Sequence, residues 1–175
     1  MKKISIVLLM IAIVLVSGCV DTPQAKQGQN DFNENHIDEL PYEELSDSEI
    51  TALGSALNDE YKAEATYQKI LDTFGEDTTP FNNIINAEVK HSTKIIELYE
   101  KYDLDVPEND LYYQTPEFET VTGACSAAVQ AEIDNVALYD ELDSEIDNED
   151  IQVVFASLRR ASQESHLPAF ERCVK

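Results

Sequence analysis

The chain has 175 residues, with 12 Lys and Arg against 35 Asp and Glu and a formal net charge of -23 at pH 7. So acidic a surface excludes nucleic acid and anionic lipid headgroups as partners, because each phosphate contacted needs a basic side chain. The same charge concentrates cations near the surface, and it serves solubility or high-salt adaptation equally well.

Met1, Lys2 and Lys3 precede an apolar run from Ile4 to Val16, which ends in Ser17-Gly18-Cys19. A basic head, a short apolar segment and small residues at the break read as a secretory signal, and Cys after Ser-Gly reads as a bacterial-type lipobox. Residues 1–18 are therefore expected to be a lipoprotein signal peptide and Cys19 the lipidated residue, anchoring the protein on the extracytoplasmic face of the cell membrane. An uncleaved membrane anchor is the alternative, although Ile4 to Val20 is a marginal span. Either way the soluble part lies outside. Without Lys2 and Lys3 the mature chain keeps 10 basic against 35 acidic residues, a net charge of 10 - 35 = -25. Residues 19–45 are polar and acidic, with few core formers, and read as a flexible tether. His36 stands alone there and reads as a solvated residue.

Residues 46–175 suit one domain with a sizeable core. The first expected helix opens with the capping box Ser46-Asp47-Ser48-Glu49 and stops at Gly75. Its seam alternates spacings of three and four through Ile50, Leu53, Leu57, Glu60, Glu64, Tyr67, Leu71 and Phe74. Two carboxylates interrupt an apolar stripe. Pro80 reads as the first residue of a second helix that runs to about Tyr102. Its seam is Phe81, Ile84, Glu88, His91, Ile95, Leu98 and Tyr102, so a Glu-x-x-His pair occupies core positions. Charge in a seam costs several kcal/mol unless it is paired or bound to metal, so partners must lie opposite.

Residues 103–119 contain Pro107 and Pro116 and are too long for a turn. Extended, they span roughly the 35–40 Å of a 25-residue helix, the length of a crossover between two helix pairs. A third helix, about Val121 to Ile146, has the seam Val121, Cys125, Ala128, Glu132, Asn135, Tyr139, Leu142 and Ile146. Asn148 caps a fourth, with Ile151, Phe155, Leu158, Ser162, His166 and Phe170 on its stripe. Pro168 is expected to bend it just past His166.

The halves repeat one plan. Glu60 is followed at seven residues by Tyr67, then Glu88 and His91; Glu132 is followed at seven by Tyr139, then Gln163 and His166. A Glu on one helix and Glu-x-x-His on its partner, given twice, is the ligand pattern of di-iron carboxylate four-helix bundles, with Gln163 where the plan expects a carboxylate. The chain thus resembles the ferritin-like superfamily, and more closely a ferritin-like domain family of archaea and bacteria whose function is unknown. Carrying that resemblance over about residues 47 to 174 are Asp59 through Tyr67, Ala87 through His91, Ala131 through Asn135, and His166 through Cys173.

The resemblance implies an all-α, antiparallel four-helix bundle with a long crossover between helices 2 and 3. It implies Glu60, Glu88, His91, Glu132, Gln163 and His166 as the metal set, Glu88 bridging, with Tyr67 and Tyr139 holding carboxylates in place. Glu64 is a substitute for Glu60. One or two iron ions are expected, manganese and zinc being alternatives, and ferroxidase or peroxide- and oxygen-reducing activity would follow. Gln163 offers a neutral oxygen and puts the second ion in doubt. A homodimer is compatible with this reading. In a metal-free reading, buried Glu and His satisfy one another, and the bundle is a structural or protein-binding module.

Cys125 lies seven residues before Glu132 and Cys173 seven after His166, which on antiparallel helices places both toward the same end. Outside the cytoplasm they should form a disulfide. A thiolate metal site is the alternative.

Overall fold

A computed structural model describes residues 44–175. The signal segment, Cys19, His36 and nearly all of the tether lie outside the described residues. Among those residues the fold is all-helical, without strands: α1 (Asp47–Phe74), α2 (Phe81–Lys101), α3 (Val121–Leu142), α4 (Glu149–Ala161) and α5 (Leu167–Val174). No described helix is long and apolar enough to cross a membrane.

The capping box closes the start of α1. Ser46 accepts from the Glu49 backbone N–H while the Glu49 carboxylate accepts from that of Ser46. Glu49 is buried and Ile50 exposed, the reverse of the seam expectation. The reason is a second task for Glu49: its Oε1 accepts the backbone N–H groups of Asp147 at 3.2 Å and Asn148 at 2.8 Å, fixing the turn before α4. Gly75 ends α1 at φ 110°, a conformation open to glycine. Pro80 is the cap rather than the first residue of α2, which begins at Phe81.

Two apolar clusters fix the topology. One joins Leu53 and Leu57 near the start of α1 to Tyr99 at the end of α2, Ile146 after α3 and Ile151 at the start of α4. The other joins Ile70 and Leu71 of α1, Phe81 at the start of α2, Cys125 at the start of α3, and Phe170 of α5. Hence α1 runs antiparallel to α2, and α3 antiparallel to α4 and α5, while α2 and α3 run the same way. Residues 102–120 must therefore return along the full length of the bundle. They do so against α1. Tyr61 donates to the Pro107 carbonyl at 3.4 Å, Tyr112 hydrogen-bonds Asp72, and Phe118 packs on the second cluster.

Two elements depart from their expected form. The third helix gives way at Leu142 to a 3-10 turn, Asp143–Glu145, rather than running to Ile146. The fourth changes before His166, not after it: α4 ends at Ala161, a π turn spans Ser162–His166, and the Leu167 N–H donates to the Ser162 carbonyl. Pro168 has no N–H, and it sits in the first turn of α5, where none is needed. The wider turn ahead of it takes up the extra residue.

The Cys125–Cys173 disulfide is present, with Cα atoms 5.9 Å apart. It ties α5 to the start of α3.

Candidate metal centre

Between the two apolar clusters the bundle is crossed by a layer of ionisable side chains, one or two from each long element. Helical spacing puts Glu60 of α1, Glu88 and His91 of α2, Glu132 of α3 and His166 of the π turn on inward faces. They are 2%, 3%, 9%, 3% and 4% exposed in that order, so water solvates none of them appreciably.

Glu88 is central. Its Oε2 lies 3.0 Å from His91 Nδ1, and its Oε1 lies 3.0 Å from His166 Nδ1. Each imidazole also faces an outer carboxylate: His91 Nδ1 is 3.3 Å from Glu60 Oε2, and His166 Nδ1 is 3.5 Å from Glu132 Oε2. The two rings stack with centroids 5.4 Å apart. The outer carboxylates are held by tyrosines from the opposite helix. Tyr67 of α1 donates to Glu132 Oε1 at 2.8 Å, and Tyr139 of α3 donates to Glu60 Oε1 at 2.6 Å. Each outer Glu thus has one oxygen held and the other turned inward.

The electrostatics follow from burial and pairing. Burial raises the Glu88 carboxyl, but the adjoining imidazoles of His166 and His91 outweigh it and hold the group down at about 2. Burial lowers both imidazoles, and here too the carboxylates prevail. His91 rises to about 9 beside Glu60 and Glu88, and His166 to about 10 beside Glu132 and Glu88. Glu60 is pushed up to about 7, by burial first and by the charge of Glu88, against the opposing pull of His91 and Tyr139. The layer is built to hold positive charge among carboxylates, and in the metal-free protein two imidazolium protons provide it.

Whether these residues fit a metal turns on one pair of atoms. Glu88 Oε1 and His166 Nδ1 are both buried and neither has a hydrogen-bond partner, although they lie 3.0 Å apart. They approach without the alignment of a donor and an acceptor. Glu88, His91 and His166 each offer a donor atom, all within 4.8 Å of one another. Carboxylate and imidazole together suit iron, manganese or zinc. The residues present fit such an ion.

Two candidates stand outside this layer. Gln163, expected beside His166, is exposed, and its carbonyl oxygen accepts from Arg159 at 2.8 Å. The π turn explains the correction: in a widened turn the residue four before His166 stacks over it, and the residue three before rotates away. Ser162 takes the inward place. Glu64 is half-buried and bonded to Ser92, one turn from Glu60. Two inward polar residues had no role assigned from sequence. Asn135 donates to Asp59 Oδ2 at 2.9 Å and to Glu60 Oε1 at 3.5 Å, and it accepts from Ser162 Oγ at 2.7 Å. Their signal was polarity on the apolar seams of helices 3 and 4.

No family model matches the chain, and neither does any curated protein. Among solved structures the chain is similar to the hypothetical protein MJ0754 from Methanococcus jannaschii DSM 2661. The likeness has a TM-score of 0.68 at 25% identity and covers 77% of this chain and 84% of that one. It supports the helical arrangement and carries no activity.

Proposed function

We propose that the chain is a membrane-tethered, ferritin-like protein that binds one or two iron ions within its bundle and oxidises ferrous iron with oxygen or peroxide. The observation that carries the reading is the buried cluster of Glu88, His91 and His166, whose donor atoms lie within 4.8 Å of one another at the centre of a layer of three carboxylates and two imidazoles. Buried charges are held by pairing or by metal, and this cluster offers an ion both carboxylate and imidazole donors. The ferritin-like part of the reading rests on a Glu with Glu-x-x-His in the first half and a Glu with Gln-x-x-His in the second, on the crossover of residues 102–120 and on α2 running parallel to α3. The tether rests on residues 1–19, outside the described residues.

Bound iron would supply redox chemistry and Lewis acidity within the layer. Glu88 presents one oxygen to each imidazole and is placed to bridge. Tyr67 and Tyr139 hold Glu132 and Glu60 by their outer oxygens, which leaves the inner ones free to ligate. His91 and His166 would give up their protons on ligation. Gln163 has no part in the donor set, which leaves Glu88 as its one bridging carboxylate.

A second reading has an observation of its own. The Glu–His contacts of 3.0–3.5 Å already pair every charge in the layer, as a metal-free scaffold presenting a surface would require. Metal content per chain separates the two. Residues 20–175 reconstituted with ferrous iron should bind one to two irons. Glu88→Gln, which keeps the shape, and His91→Ala should lose them, and oxygen consumption should fall with the iron. A wild type without bound metal under any condition would leave the scaffold.

A further inference from the structure

Between α1 and α3, under Pro116 and Phe118 of the crossover, lies a cleft of about 430 Å³ that runs inward to Glu88 and Glu132. We propose that it is a binding site for a neutral organic molecule with an apolar body and a hydroxyl group at the inner end. The inference rests on the metal-centre reading for its chemistry, and on the cleft alone for the binding.

Size comes first. Oxygen or peroxide needs little more room than a water molecule, about 30 Å³, whereas this volume falls in the range of sites that enclose organic ligands. The walls come next. Ala63 on α1 and Ala127, Ala128 and Ala131 on α3 line it, together with Ile70 and Phe118. Alanine on both sides leaves open a space that larger side chains would close. The surface is mostly apolar, with Lys62, Thr66 and Gln130 among its polar residues, and it reaches Glu88 and Glu132 of the ionisable layer.

The inner end decides the ligand class. Glu132 spends Oε1 on Tyr67, while Glu88, 3% exposed, has an Oε1 that lies 3.0 Å from His166 Nδ1 but accepts no hydrogen bond. Carboxylate oxygens only accept, so they receive a hydroxyl and repel an anion. Asp59 and Asp134, which also line the cleft, add to that repulsion, so four carboxylates stand against the one cation of the lining, Lys62. A carboxylate or phosphate on an apolar body is thereby disfavoured, and a neutral alcohol or phenol is matched at both ends.

The test uses two fluorescent probes of one shape, 2-naphthol and 2-naphthoate, titrated into metal-free residues 20–175 at neutral pH. Wild type should bind 2-naphthol, with at least tenfold weaker binding of 2-naphthoate. Ala131→Phe, which fills the cleft from an exposed position on α3, should weaken 2-naphthol at least tenfold and leave iron stoichiometry unchanged. Ala127→Leu is the second blocking variant, should Ala131→Phe not fold. No 2-naphthol binding, equal binding of the two probes, or binding untouched by the blocking variants overturns the proposal. If 2-naphthol binds and iron does not, the cleft stands and the metal reading falls. Should iron bind and 2-naphthol not, the reverse holds.

Discussion

His91 and His166 carry protons where a metal ligand must carry none, and that conflict sets the pH behaviour of the site. Their values of about 9 and about 10 lie above the ordinary 6.5, so the stability they contribute is complete below pH 6.5 and is lost as pH rises through the folded values. Glu88, depressed to about 2, contributes above its ordinary 4.5 and loses that contribution only as pH falls toward 2. Glu60, raised to about 7, works against the folded state progressively from 4.5 upward. The metal-free protein is therefore expected to melt at its highest temperature near pH 4.5 and at steadily lower temperatures toward pH 9.5. Metal reverses the slope, because ligation takes deprotonated imidazole. The rise in melting temperature on adding ferrous or zinc ion should grow across that alkaline window. Calorimetric titration near pH 7.5 in buffers of different ionisation enthalpy should register up to two protons released per chain, and no release would contradict protonated imidazoles at the centre.

The π turn separates what pattern reading reaches in this chain from what it does not. On α2 the Glu-x-x-His spacing works because the helix is regular: residues three apart share a face, and Glu88 and His91 do meet, 3.0 Å apart. The same spacing before His166 selects Gln163, which the structure turns to solvent and to Arg159. Pro168 announced an irregularity in the sequence. Its position and type were not legible, since a proline is accommodated by a kink, a break or a widened turn alike. Similarly, the capping box gave Glu49 its place at the start of α1 but not its two bonds to the turn before α4, which bridge residues about a hundred positions apart. What pairs locally was readable; what pairs across the fold was readable only where, as with Cys125 and Cys173, the register of two helices could be counted from one shared layer. The element-scale prediction follows from the turn. Gln163→Ala should bind iron with wild-type stoichiometry, because Gln163 reaches no ligand, whereas Ser162→Leu should weaken binding by crowding Asn135 and, through it, Glu60. Elemental analysis of the two variants checks both directions, and iron loss in Gln163→Ala would restore the spacing argument over the observed turn.

Across the whole molecule, two apolar clusters stand above and below a charged layer, and each end has its own fastening. At one end Tyr102, which caps the end of α2, donates to Asp150 of α4 at 2.7 Å, and Asn148 Nδ2 donates back to the Tyr102 hydroxyl at 2.9 Å. At the other, the Cys125–Cys173 disulfide closes a sequence separation of 48 residues next to Tyr67, Phe81 and Phe170. In the chain-entropy model a loop of that length is worth about 4 kcal/mol, through states removed from the unfolded chain. A domain of roughly 130 residues unfolds with an entropy near 0.27 kcal/mol/K, so reduction should lower the melting temperature by about 15 °C. Cys125→Ala with Cys173→Ala should do the same and should no longer respond to reductant. The ionisable layer sits two turns away along α3, and its side chains are placed by Glu88, Tyr67, Tyr139 and Asn135 rather than by the disulfide. Iron stoichiometry at 25 °C should therefore survive reduction while the melting temperature falls. Thermal melts with and without reductant, paired with iron analysis on the same samples, read the two quantities separately; loss of iron on reduction would show that the fastening at this end and the layer above it form one cooperative unit.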